Sequence, residues 1–446
     1  MISTAASTTD TTTTTTTSGT APVARRCGTR VGAVLVTTMA VIFGLLSLIV
    51  APAAAAATAP LAIGTLGTNP DHAAQESAGG IKVAMMELNW ANYETSRGVF
   101  NVTYENQMKT RLAKLKAAGM KVTLGLGLHF TPAWVLNQPN GRFVAQDGAV
   151  STEANLVFNN NLRVLAQEYL TRANTALRFS DFWAVRVTSG GKSETLYPQG
   201  GKYWAFDANA QNGANLPASM PRNPFPGFKP GTAALTAPQM TTWVDWYVGA
   251  LADTARWQAT AVRSLGFTGY IQVVTPGIGV LNNKIPTLVA GNLPNGTLGA
   301  GAAWGLLYAK MVGIPNVVAY NSSMADGSKN NTGCTPTDTS IALDAAGTTN
   351  FSAAAWIARI ADQYGFGKSG ENPGLPAVTD PTRRAFYLDP SAQGMMAITI
   401  NQAQSCGFQS IYWAHDDSIW TGLMPLTQPL AYTTPTTPAP ANAPTS

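Results

Sequence analysis

The 446-residue sequence predicts an α/β fold, a single (β/α)8 barrel with long loops at the C-terminal face. Two observations carry this expectation. First, helical stretches that end at Gly run within a few residues into short apolar strands, as in LAKLKAAGMKVTLGLGL, AVRSLGFTGYIQVVT, MVGIPNVVAYN and NQAQSCGFQSIYWA. Gly suits the left-handed turn that closes a helix, and apolar runs of this length suit strands buried on both faces. Second, the connections are asymmetric. Helix-to-strand links are short, whereas strand-to-helix links reach about fifty residues after the fourth strand and almost thirty after the sixth. Long loops gathered on one face are what a barrel requires. A doubly wound sheet would want a Gly-rich phosphate turn after its first strand, and GTLGTNPD matches that pattern poorly.

The strands are expected near 61–66, 81–88, 121–129, 182–188, 270–275, 316–321, 366–370 and 410–414. Helices are expected at 104–118, 153–176, 241–264, 353–364 and 391–406. In the third strand, Thr123, Gly125, Gly127 and His129 alternate with Val122, Leu124, Leu126 and Leu128. The leucine side would pack under helices, and the small side would line the interior with His129 at its upper end.

Residues 1–57 read as a secretory leader. A Thr-rich tract precedes Arg25 and Arg26, the uncharged run Val31–Val50 follows, and the string APAAAAATAP offers a cleavage site. A permanent membrane anchor is the competing reading, because the run is long enough to span. The barrel is expected over 58–428, and 429–446 is a Pro/Thr-rich tail. Only 11% of residues are charged, so the surface must be largely uncharged polar, as suits an extracellular protein. The formal charge of +5 includes Arg25, Arg26 and Arg30 of the leader, and no dense cationic stripe remains to bind nucleic acid. After cleavage no membrane association is expected. Cys334 and Cys406 would be left; the architecture puts one at each end of the barrel, which argues against a bridge.

Two acids follow strands on the upper face without an evident structural task. Glu194 lies in VTSGGKSETLYP after the fourth strand, and Glu371 in GKSGENPG after the seventh. Glycosidic cleavage needs two carboxyl groups, one protonating the leaving oxygen and one attacking the anomeric carbon or activating water. Each alone reads more readily as a solvated loop acid; the paired placement after strands four and seven is what favours catalysis. Glu87 and Asp416 also end strands, and either could bind sugar hydroxyls or form a loop ion pair, as could Asp417. His129 could donate to a hydroxyl or be a structural histidine. Trp90, Trp134, Trp204, Trp413 and Trp420 cluster near strand ends, where indoles could stack on sugar rings, and some of them must be core residues. His72, His129 and His415 show no zinc spacing, and no metal or cofactor is expected. No G-x-S-x-G elbow is present.

The stretch ELNWANYETSRGVFNVTYENQMKTRLAKLKAAGMKVTLGLGLHFTPAWV resembles the opening of the family 42 β-galactosidases, of glycoside hydrolase clan A, through Trp90, Glu94, Gly98-Val99-Phe100 and Pro132-Ala133-Trp134. The resemblance covers roughly residues 60 to 425, with only this stretch close. It implies an acid/base at Glu194, a nucleophile at Glu371 and a nucleophile-binding Tyr at Tyr320, which could equally be a core aromatic. One departure stands out. Clan A enzymes carry Asn before the acid/base, and this chain has Ser193. The segment GGKSETLYP is instead similar to the inverting family 14 β-amylases. The resemblance thus implies a secreted glycosidase acting on an oligosaccharide or polysaccharide, β-galactosidase-like first, with retention or inversion open. The alternative is a non-catalytic, carbohydrate-binding or wall-associated barrel.

Overall fold

The computed structural model describes residues 60–326, 331–375 and 380–422. The leader and the tail lie outside the described residues. Eight parallel strands close into a barrel: β1 Ala62–Thr65, β2 Val83–Glu87, β3 Lys121–Gly125, β4 Ala184–Val187, β5 Tyr270–Thr275, β6 Val317–Asn321, β7 Gly367–Glu371 and β8 Ser410–Trp413. Each strand pairs with its sequence neighbours, and β1 pairs with β8 to close the ring, Ala62 opposite Ser410 and Thr65 opposite Trp413. The expected (β/α)8 architecture is therefore present.

Helices pack outside the strands, among them α1 Val102–Ala117, α2 Asn160–Leu177, α3 Ala237–Ser264, α4 Ala353–Tyr364 and α5 Met395–Ser405. Their starts are fixed by side chains. Asn101, Asn159 and Ser352 each accept backbone N–H groups at a helix N-terminus, and Thr236 forms a capping box with Gln239 at the head of α3. Trp243 and Trp246 are buried on α3, as helix-packing residues.

Two elements differ from expectation. The helix expected from residue 153 begins at Asn160, because Val150–Ala154 pairs antiparallel with Arg142–Val144 in a hairpin over the barrel mouth. The third strand stops at Gly125, four residues early. Gly127 has φ +64°, which ends the alternation, and a Cβ there would lie 1.9 Å from the Leu88 carbonyl oxygen. Only glycine fits that crossing of β2 and β3.

The barrel interior is filled. Val83, Met85, Val274, Tyr320 and Tyr412 form an inner apolar cluster, separate from the larger core between strands and helices. A polar layer crosses it: Thr123 Oγ1 and Tyr412 Oη are 2.6 Å apart, and Gln272 Nε2 donates to the same Oη at 3.2 Å. This layer is a floor on which a site can be built.

The cysteines correct the sequence reading. Cys334 and Cys406 are disulfide-bonded, with Cα atoms 4.8 Å apart across 72 residues of sequence. The loop after β6 does not stay at the upper face. It reaches the C-terminal end of α5, where the Cys334 backbone N–H donates to Ser405 Oγ at 3.2 Å. Closing a loop of this length should contribute about 4 kcal/mol. Urea unfolding of a Cys334→Ser/Cys406→Ser variant should show a loss of this order; an unchanged midpoint would show the bridge to be energetically idle.

Candidate active site

Glu371 is the last residue of β7, and the strand parity that faces Ser369 inward faces Glu371 into the barrel mouth. Sequence expectation placed it one residue past the strand; the structure places it within. It is buried, and both its oxygens are held. Tyr320 Oη donates to Oε2. Arg186 Nη2, from β4, lies 3.2 Å from Oε2 and 3.4 Å from Oε1. The Arg186 guanidinium also lies 4.9 Å from the centroid of the Tyr320 ring. Burial pushes the Glu371 carboxyl above its usual range, and the Arg186 charge and the Tyr320 hydrogen bond pull it back only in part.

Glu194 lies in the loop after β4, half-buried. Ser322, just beyond β6, donates through Oγ to Glu194 Oε1 at 2.5 Å. The loop itself is pinned: Thr195 N–H donates to the Val274 carbonyl at 2.8 Å, and Ser189 N–H to the Glu194 carbonyl at 3.1 Å. Gly190, at φ +80°, lets the turn sit against Leu156 beside the hairpin, since a Cβ would come within 2.6 Å of that side chain. The Glu194 charge adds to the rise of the Glu371 pKa.

Glu87 ends β2 and points inward. Its carboxyl lies over Gly125, where a Cβ would approach Oε1 to 2.8 Å, and its Oε1 is 3.8 Å from His129 Nε2. Burial raises the Glu87 pKa to about 7, with Arg186 opposing and Glu371 adding to the rise. His129 is pushed down to about 4 by burial, helped by the charges of Arg186 and Lys192.

The remaining nominated residues divide. Trp90 is fully buried, donating to Glu94 Oε2 at 2.7 Å and stacked on Tyr169 at 5.1 Å. Trp134 stands edge-on to Trp90 and donates to the Glu94 carbonyl at 3.3 Å. Trp413 points outward from β8, donates to Ser418 Oγ at 2.7 Å and packs on Tyr387. Trp204 is buried as well. The structure therefore corrects the stacking reading for Trp90, Trp204 and Trp413, whose faces are spent on the core. Asp416 is also buried and accepts from the Asn69 backbone N–H at 2.5 Å, tying the loop after β8 to that after β1. It is a structural acid, a correction to its nomination as a sugar ligand.

Sequence reasoning missed Arg186 and Ser322. Arg186 was visible as the one charge inside an apolar strand, FWAVRVT, with inward parity. Ser322 had no local signal, because its role depends on the alignment of β5 with β6. Among the described residues no group of three or more metal-ligating side chains occurs, and no helix is long and apolar enough to cross a membrane.

No family model matches the sequence, and no curated protein matches it. Among solved structures, the chain is similar to a β-galactosidase from the Antarctic haloarchaeon Halorubrum lacusprofundi, with a TM-score of 0.49, 10% identity, and 80% of this chain and 52% of that chain covered. A β-galactosidase from the psychrophilic Marinomonas ef1 aligns with a TM-score of 0.49 and 12% identity over 80% of this chain and 54% of that one. Endo-glycoceramidase II from Rhodococcus sp. aligns with a TM-score of 0.40 and 16% identity over 80% and 73%. The chain spans about half the length of the two β-galactosidases.

The depressed His129 pKa has a sign. A base whose folded pKa lies below its unfolded value contributes stability in full above about pH 6.5, lost as pH falls toward 4. NMR titration of the imidazole C–H protons should find His129 still neutral at pH 5.5; a midpoint near 6.5 would contradict its burial beside Arg186.

Proposed function

We propose that this protein is a glycoside hydrolase in which Glu194 is the general acid/base and Glu371 the nucleophile. The observation that carries the reading is the unequal setting of the two carboxyl groups. Glu371 is buried, with both oxygens fixed by Arg186 and Tyr320. Glu194 is half-buried and accepts from the Ser322 hydroxyl. Unequal environments are how two chemically identical groups take different roles.

The chemistry follows. Glu194 delivers its proton to the glycosidic oxygen as that bond breaks. A Glu371 oxygen attacks the anomeric carbon, where positive charge develops, and forms a glycosyl ester. Water then attacks the same carbon and gives its proton to Glu194, and the ester bond breaks to restore the Glu371 carboxylate. A carboxylate clamped at both oxygens suits direct attack better than the activation of a water molecule, which favours retention. A β-galactoside is the first substrate to try, by the sequence resemblance. We also propose that the protein acts outside the cell after removal of its leader; the Arg-then-apolar-then-Ala pattern supports this, as does a disulfide that an oxidising compartment would preserve.

Hydrolysis of a panel of aryl glycosides tests the reading. Glu194→Gln should lose about 10²–10⁴-fold in turnover on substrates with poor leaving groups. Glu371→Gly should be inactive and be rescued by azide with formation of a glycosyl azide of inverted configuration. Near-normal activity in either variant would sink the assignment.

The pH profile offers a separate check. Glu371 must be ionised to attack, and its raised pKa puts the acid limb of kcat/KM above the usual 4.5. Arg186→Met removes the cation that opposes the rise, so the limb should move to still higher pH. A limb that stayed in place would show that Arg186 does not govern Glu371.

A further inference from the structure

Beside the two carboxyl groups lies a pit between the ends of β2, β3 and β4. Glu87, Gly125, His129, Arg186, Thr188 and Ser193 line it. It adjoins the catalytic centre on two sides, because Arg186 reaches from it to Glu371 and Ser193 immediately precedes Glu194. Arg186 is engaged by Glu371. Glu87 is different: among the described residues its one ion-pair contact is His129 Nε2 at 3.8 Å, beyond hydrogen-bond reach, the Arg186 charge acts on it only through space, and its side chain is 34% exposed. A half-buried carboxyl group lining a pit, with no hydrogen-bond donor among the described residues, is placed to take a donor from a ligand.

The residue after His129 carries a second feature. Phe130 follows His129, its ring 4.1 Å from the imidazole, and the residue is 40% exposed. Among the described residues it is the one Phe, Tyr or Trp in the exposed class. Its backbone is fixed at both polar groups: its N–H donates to the Gly127 carbonyl at 3.1 Å, and its carbonyl accepts from Ala91 N–H at 2.9 Å. The ring thus stands exposed beside His129, which lines the pit, while the indoles of Trp90, Trp204 and Trp413 are spent on the core.

We propose that this pit is the subsite that selects the sugar, with Phe130 stacking on the apolar C–H face of a pyranose and Glu87 reading one hydroxyl of the same ring. The proposal rests on the glycosidase reading above and extends it. Neither residue touches the reacting atoms; both act on which sugar is held there. A pit with a neutral imidazole and a carboxyl group lacking a close donor can reject a sugar that lacks the matching hydroxyl, because the carboxyl then loses its partner.

The test is a set of double cycles with the full-length protein. Wild type, Phe130→Ala, Glu87→Ala and Glu87→Gln are assayed on 4-nitrophenyl β-galactoside and on its 2-, 3-, 4- and 6-deoxy analogues. Phe130→Ala should raise KM roughly threefold to tenfold with a smaller change in kcat. Glu87→Ala should cost kcat/KM on the parent sugar yet cost little more on one deoxy analogue, marking the hydroxyl that it reads. Additive losses at every position, or an unchanged KM in Phe130→Ala, would overturn the proposal. Glu87→Gln keeps the shape and one acceptor, so it guards against an alanine variant that fails to fold. Should the wild type cleave no glycoside, the reaction assignment falls by itself. The pit is then judged by saturation-transfer NMR with methyl β-galactoside: signal lost in Phe130→Ala supports it, and signal absent from the wild type or kept in the variant overturns it.

Discussion

Arg186 is the charge around which the mouth of this barrel is organised. A guanidinium enclosed by strands is costly to desolvate, by several kcal/mol even after relaxation. Burial alone would lower its proton affinity; the Glu371 carboxylate, foremost among its neighbours, more than reverses that. The cation also lies against the face of Tyr320, whose hydroxyl binds the same carboxylate. Three strands, β4, β6 and β7, are thereby bound at one point. Each group in this triangle would be a buried orphan without the other two, so the geometry of Glu371 is fixed before any ligand arrives.

That fixed point sits on the polar layer below it. Tyr412, Thr123 and Gln272 join β8, β3 and β5 across the interior. Above the layer, small residues leave room where charge must stand: Gly125 beneath the Glu87 carboxyl and Ser369 one inward position below Glu371. Together these place polar and charged groups inside the barrel although the strands read as apolar runs. Residues facing the helices supply most of the apolar character, and the inward set alternates with them.

The fold was legible because barrel strands carry their signal locally. All eight strands fall at their expected places, β5 and α4 with the expected bounds. Glycine geometry decided where expectation failed: the reading of β3 ran on through Gly127, whose φ of +64° breaks the alternation. The positions of Glu194 and Glu371 were legible from their order after β4 and β7. What was not legible depended on partners far away in sequence. Ser322 meets Glu194 only because the loop after β6 lies beside the loop after β4. The path of the chain around Cys334 cannot be read from an irregular loop. Whether an indole offers its face to a cleft or to a core depends on strand parity and on which helix covers it, as Trp413 and Tyr387 show.

Asp416 makes the same point from the acid side. It follows the eighth strand, the position that invites a role in binding, yet its carboxyl turns away from the centre. Its Oδ2 accepts from Asn69 N–H, and its charge bears on Glu76 of the segment between β1 and β2. Glu76 in turn accepts from Thr65 Oγ1 at 2.9 Å and from Trp420 Nε1 at 3.0 Å. Burial raises the pKa of both acids, and the Asp416 charge adds to the rise at Glu76. The arrangement lies where the first and last strands of the ring must meet, a junction with no covalent continuity between its two sides. A barrel needs closure there before it can hold a site anywhere else. The acids at strand ends thus divide by location: Glu371 is bound by Arg186 and Tyr320 inside the ring, and Asp416 is consumed at its seam.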